Sequence, residues 1–282
     1  MSQPLDLIAC PVCHGDLSPG GGRWHCTACG REYGDADSLD LTPNPPPDAE
    51  VRDHWSLWEQ LQANFLAAAT AVPEHSLSVT ERPDAEAFAA FCGFSGTVLD
   101  VGCGTQRLPT YANTERCRFV GIDPLPGEPE RAFEFVQGVG EYLPFRTDSL
   151  DQVLFATSLD HMLVPRLALA EARRVIRPGG AVNVWFGELD REPNGSPVRR
   201  VADRLARALG RGPKDEGAPA EPEYIAQLEQ PEGAVDKFHV AHPDANAISA
   251  WFAEIGLELK DIERVDYASG CFMRGVKPPP AS

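Results

Sequence analysis

Thr97-Val98-Leu99-Asp100-Val101-Gly102-Cys103-Gly104-Thr105 is an apolar strand that runs into a glycine-rich turn. Glycine at 102 and 104 permits backbone angles that other residues avoid and lets a ligand approach the main chain. A second apolar stretch, residues 118–122, ends on Asp123, an acid placed to accept two hydrogen bonds from ribose hydroxyls. Further strand candidates occupy residues 152–156 and 181–186, with a helix expected at 164–176 between them. A helix at 244–255 then precedes strand candidates at 257–265 and 271–276. Strands alternating with helices imply a mostly parallel sheet covered on both faces, whose ligands sit beyond the carboxyl ends of the strands. The expected fold is α/β, Rossmann-like and doubly wound.

Upstream the composition changes. Residues 1–42 are rich in glycine and carry Cys10-x-x-Cys13 and Cys26-x-x-Cys29, twelve residues apart. Two such turns can each aim two thiolates inward, giving the tetrahedral sulfur set that zinc accepts. So short a unit lacks a core of its own, so the metal would supply much of its folding free energy. Four thiolates leave no open position, which makes the expected zinc ribbon structural. Residues 43–50 form a proline-rich linker. Val51, Trp55, Trp58, Leu61, Phe65 and Ala69 then recur at helical spacing as far as Pro73, and a second helix is expected at 83–92. Residues 51–92 are thus a helical segment, and 93–282 the α/β domain.

That domain is interrupted at 187–238, a proline-rich insertion with one good helix at 196–210. Arg199, Arg200, Arg204 and Arg207 lie along it in an otherwise acidic chain. Arginine forks suit phosphate or carboxylate, so the insertion could be a lid over an anionic small-molecule substrate; a solvated helix face is the simpler reading. The formal net charge of −17 lowers the prospect of a nucleic-acid partner, since such partners are held through phosphates by basic surfaces. The ribbon itself sets Arg23 and Arg31 against six acids. No apolar run reaches the roughly 18 residues of a membrane span, and no signal peptide is recognisable at the start. Eight cysteines, four of them scattered singly, point to a reducing, cytoplasmic setting.

V-L-D-V-G-C-G-T at 98–105, F-V-G-I-D at 119–123, E-Y-L-P-F-x-x-D-S-L-D at 141–151 and A-R-R-V-I-R-P-G-G at 172–180 resemble, in order and spacing, the class I S-adenosylmethionine-dependent methyltransferases. The resemblance is close over residues 93–186 and looser beyond. It implies a seven-stranded sheet and S-adenosylmethionine as cofactor. Asp100, Gly102, Cys103 and Gly104 would line its methionine part, Asp123 would hold the ribose, and Ala156 would offer backbone to the amino-acid end. Two positions depart from the pattern. Gln106 stands where many members have glycine, and Val139 stands where an acid often binds the adenine, leaving the Gly140 backbone for that contact.

Methyl transfer needs in-line positioning, with a base if the acceptor is a hydroxyl. Asp160-His161, after the fourth strand, could act as orienter and base. His239 is a second candidate base, and His239 with His242 makes an H-x-x-H pair that could bind metal, with no third ligand nearby in sequence. The bland alternative for each histidine is a loop or packing role. The leading function is methyl transfer to a hydroxyl or amine of a sugar or secondary metabolite. The alternatives are a ribosomal RNA methyltransferase, a non-catalytic partner protein on the same fold, and a dinucleotide-binding dehydrogenase. The last would normally require a third glycine where Arg107 stands.

Overall fold

The computed structural model describes residues 3–35, 37–71, 83–126, 130–187, 222–265 and 270–280. Three short strands, β1 (Leu17–Gly20), β2 (Arg23–Cys26) and β3 (Glu32–Asp35), form an antiparallel sheet around the four N-terminal cysteines. The expected helix from Val51 is broken at His54 into α1 (Ala49–Asp53) and α2 (Trp55–Ala71). Next comes α3 (Pro83–Cys92), with proline opening its first turn and Asp84 and Glu86 at its positive end.

The main sheet has seven strands: β4 (Gly96–Val101), β5 (Cys117–Asp123), β6 (Glu134–Gln137), β7 (Leu150–Ala156), β8 (Ile176–Gly187), β9 (Glu258–Arg264) and β10 (Gly270–Val276). Their spatial order is β6-β5-β4-β7-β8-β10-β9, and only β10 runs antiparallel to its neighbours. From β4 the chain steps outward through β5 to β6, then returns to place β7 on the other side. The order therefore reverses at β4, opening a crevice at the carboxyl ends of β4, β5 and β7.

Helices α4 (Pro165–Val175), α5 (Glu223–Ala226) and α6 (Ala245–Glu254) complete the described elements. α4 buries Ala168, Leu169, Ala172 and Val175, spaced three and four apart, and α6 is capped by Asp244, whose side chain accepts from the Ala247 amide. The lid helix expected at 196–210 lies outside the described residues, as does Pro73.

The alternation of strand and helix fails at more than one connection. The connection 102–116 between β4 and β5 contains no helix. Its Tyr111 instead packs among Cys103, Phe88, Phe119 and Phe133 in the core beneath α3. On the opposite face, the segment between β6 and β7 has only a single 3-10 turn, Gly140–Tyr142. The ribbon fills that gap. Leu7, Ile8, Trp24, Tyr33, Leu39 and Leu41 share one core with Val120, Ile122, Val136 and Phe145. Backbone bonds tie the two units: Ala9 to Pro144, Arg146 to Leu7, and Leu41 and Leu39 to either side of Gln137 on β6. Arg118 joins Asp6 of the ribbon to Glu134 of β6 through four contacts of 2.6–3.1 Å. At the far edge, every residue of β9 is exposed.

Candidate functional site

Gly102 and Gly104 have φ of +75° and +73°, the left-handed region that glycine enters without strain. A Cβ on Gly102 would stand 2.5 Å from that of Ser158, so the end of β4 passes against the end of β7 with no room to spare. Thr157, on the β7 side of this contact, has φ of +55°. A β-branched residue in that region is strained by about 1–3 kcal/mol, a cost found mostly where function fixes the backbone.

These chain ends open into a cavity of about 430 Å³. Of the expected cofactor residues, Gly102, Gly104, Asp123, Gly140 and Ala156 line it. Asp123 is nearly buried. One of its oxygens accepts from the Gly104 amide at 2.8 Å and the other from the Leu125 amide at 2.9 Å. Burial pushes its pKa up to about 6, with those amide bonds pulling the other way. Each oxygen keeps a lone pair for a ribose hydroxyl.

Asp100 and Cys103 are not among the lining residues. The Asp100 side chain points the other way and accepts a 2.7 Å hydrogen bond from Tyr111, and burial raises its pKa to about 7. It braces the loop from behind. Cys103 is likewise buried in the core under α3. Gln106, the departure from the family pattern, folds back over the turn: its Nε2 donates to the Cys103 carbonyl at 2.6 Å, and its Oε1 lies where a Gly104 side chain would go.

Arg131 has no counterpart in the sequence reading. Reaching in from the β5–β6 connection, its guanidinium donates to the carbonyls of Gly104 (2.9 Å), Gln106 (3.2 Å) and Pro126 (3.1 Å) and lies 4.0 Å from the Phe135 ring. A helix would otherwise anchor this loop; here one side chain does so.

At the other end of the cavity stand His161 and His239, with Trp58 and Phe65 of α2, Tyr224 of α5 and Phe238 around them. The two imidazoles, 78 positions apart in sequence, stack with centroids 4.4 Å apart. His161 sits in a 3-10 turn (Leu159–His161) just past β7, and its Nδ1 is 3.2 Å from the Phe238 carbonyl. Burial lowers its pKa, opposed by the Asp160 charge. Asp160, expected to orient His161, lies instead with Oδ2 3.6 Å from Nε2 of His239. The residue that orients His239 is Asp236: its two oxygens are 2.9 and 2.8 Å from Nδ1. Asp236 also accepts from the amides of Phe238 and His239 and meets Nε2 of His242 at 2.9 Å. His242 is thus a neighbour of this network outside the cavity wall.

The four ribbon cysteines do converge. Cys10 and Cys29 sulfurs are 3.8 Å apart and those of Cys13 and Cys26 3.4 Å, and all four lie within 4.8 Å of one another. Sulfurs bound to one tetrahedral zinc at about 2.3 Å stand about 3.8 Å apart. The set fits that ion, and the Tyr33 hydroxyl, 2.9 Å from Cys10, adds an outer contact.

Residues 99–184 match the methyltransferase domain family. An uncharacterized methyltransferase from Mycolicibacterium paratuberculosis (strain ATCC BAA-968 / K-10) is 31% identical over 182 residues, covering 60% of this chain and 65% of that protein. One from Mycobacterium tuberculosis (strain ATCC 25618 / H37Rv) is 32% identical over 146 residues, 47% of this chain and 56% of the relative. The chain thus spans less than two thirds of the length of these curated relatives. Among solved structures, the 1,6-didemethyltoxoflavin-N1-methyltransferase of Burkholderia thailandensis, with 1,6-didemethyltoxoflavin and S-adenosylhomocysteine bound, superimposes with a TM-score of 0.53 at 14% identity, covering 94% of this chain and all of that one. At that identity the likeness is one of fold. Residues 99–184 are thus similar to the methyltransferase domain family, and they lie on a Rossmann-like sheet of the kind such enzymes have.

Proposed function

We propose that the protein transfers the methyl group of S-adenosylmethionine to a hydroxyl or amine of a small-molecule acceptor. The observation that carries this is the single cavity running from Gly102, Gly104, Asp123, Gly140 and Ala156 to His161 and His239. Donor and acceptor would meet there without crossing solvent, the arrangement in-line displacement requires. His161 and His239 would face the acceptor, with Asp236 behind His239 at Nδ1 and Asp160 beside its Nε2.

The lining favours a flat, largely uncharged acceptor. Trp58, Phe65, Tyr224 and Phe238 supply ring faces, and none of the described lining residues is lysine or arginine. That, with a net charge of −17, speaks against RNA as acceptor. The Burkholderia enzyme, crystallised with 1,6-didemethyltoxoflavin bound, is a precedent on this fold. The ribbon cysteines would hold a structural zinc, and the thiol-rich chain suits a reducing, cytoplasmic setting.

Isothermal titration of the full chain with S-adenosylmethionine, followed by transfer of labelled methyl to a panel of hydroxylated and aminated aromatics, tests the proposal. Micromolar donor binding with transfer to members of the panel is the expected result. Absence of donor binding at millimolar concentration, or transfer to ribosomal RNA alone, would overturn it.

A further inference from the structure

We infer that Asp160, His161 and His239 form a second metal site, a two-imidazole, one-carboxylate set at the wall of the acceptor end that takes a divalent first-row transition ion. One ligand atom from each of the three residues lies within 4.8 Å of the others. The 3.6 Å between Nε2 of His239 and Oδ2 of Asp160 is too long for a hydrogen bond. It suits two ligands of one ion: at bonds of about 2.1 Å and near-tetrahedral angles, ligand atoms lie about 3.4 Å apart.

The groups behind the three are those a metal site needs. Nδ1 of His239 rests on the Asp236 carboxylate and Nδ1 of His161 on the Phe238 carbonyl, which leaves Nε2 of each ring for an ion. Such outer partners fix the tautomer and aim of ligating histidines. Asp236 itself is spent, accepting from two backbone amides and two imidazoles, so it orients and does not ligate. Asp160 is the reverse: its Oδ1 is buried and finds no hydrogen-bond partner among the described residues. Leaving a buried carboxylate oxygen without a partner is destabilising, and a cation held by this carboxylate would offset that. No sequence spacing announces this trio, because His239 comes from a loop far downstream of Asp160.

Two imidazoles favour zinc, iron, nickel or copper over magnesium, calcium or manganese, and cobalt serves as a spectroscopic stand-in for zinc. Three protein ligands leave positions open toward the cavity. There the ion would take the oxygen of an acceptor hydroxyl, a role that rests on the proposed methyl transfer, whereas the site itself does not. The O–H bond breaks with its proton passing to solvent. The oxygen pair then forms the new C–O bond as the C–S bond breaks, and the leaving pair stays on sulfur as a neutral thioether.

Metal content of the full chain tests the site. Zinc or cobalt loading should give two equivalents per chain. The first cobalt equivalent should show the intense sulfur-to-metal charge-transfer band of the ribbon, and the second only weak d–d bands. His161→Ala and His239→Ala should each lose the second equivalent and keep the first, which also reports that the chain is folded. Asp236→Asn should weaken the second about 10- to 100-fold, and His242→Ala should retain it. A single equivalent in the unaltered protein, or a second one that survives both His161→Ala and His239→Ala, would overturn the site. So would a second equivalent lost in His242→Ala but kept in Asp160→Asn. None of these readouts needs a methyl donor, so they stand or fall apart from the transferase reading.

Discussion

Arg131→Ala should weaken donor binding far more than its distance from the cavity suggests. Its guanidinium holds two carbonyls of the glycine-rich loop after β4, Gly104 at 2.9 Å and Gln106 at 3.2 Å, in a connection that has no helix to do so. Hydrogen bonds from a charged donor contribute about 1.5–3 kcal/mol each. Water can reach the freed carbonyls at this half-buried turn, so the lower figure applies, or about 3 kcal/mol for the pair. If all of it becomes an ordering cost of binding, donor Kd rises a little over 100-fold, since each 1.4 kcal/mol is a factor of ten. Some of it will fall on the stability of the ligand-free protein, so a 10- to 100-fold rise is expected. Isothermal titration with S-adenosylhomocysteine measures it, and Arg131→Lys, which keeps the charge but not the fork, should fall between. A Kd within twofold of the unaltered protein, with a lowered melting temperature, would show that Arg131 supports the fold alone.

Asp123→Ala should raise donor Kd about 10- to 100-fold, from the loss of charged hydrogen bonds to the ribose, while His239→Ala should leave Kd near its starting value and slow turnover; comparing titration with initial rates separates the two. Donor affinity should also fall as pH drops through about 6, where the buried Asp123 carboxylate takes up a proton, and this fall should vanish in Asp123→Asn. Asp100 gives a pH effect on folding. Its native pKa of about 7 lies above the unfolded value of 3.8, so the native state holds the extra proton and stability drains away as pH rises through 7, by about 1 kcal/mol between about pH 6.5 and 8.5. Urea titrations at both pH values, with Asp100→Asn showing a flatter response, check the sign. A strong chelator, by removing a zinc held by the four ribbon cysteines as proposed, should weaken donor binding as well as lower the melting temperature, because Leu39 and Leu41 pair with Gln137, next to the cavity wall at Gly138–Gly140.

The strands at the centre of the sheet were legible because long apolar runs such as Val98–Val101 and Phe119–Ile122 have no other use. β6 escaped because it is four residues long with Glu134 and Gln137 at its ends, too short and too polar for a pattern. Helix-less crossovers were unreadable for a related reason: what fills the space is Tyr111, Arg131 and a ribbon from the other end of the chain. Glycines and a strand-end acid located the turn that opens into the cavity. They misplaced Asp100, whose alternation along β4 turns it toward Tyr111, and no residue pattern shows the strained backbone of Thr157. His161 and His239 were each singled out, but their stacking, and the exchange of Asp160 for Asp236 as the partner that orients His239, exist only once the chain is folded.

A sheet has two rims, and this one guards them by different means. β9 carries Glu258, Lys260, Asp261, Glu263 and Arg264 on an exposed strand, a charged border that discourages another strand from joining. β6 has no such border. It is shielded because Asp6, through Arg118, and residues 39–41 stand at its two ends. A chain beginning after residue 42 would leave that rim open, along with the apolar residues the ribbon covers. It should pair with its own copies and precipitate, whatever remains of its affinity for the methyl donor.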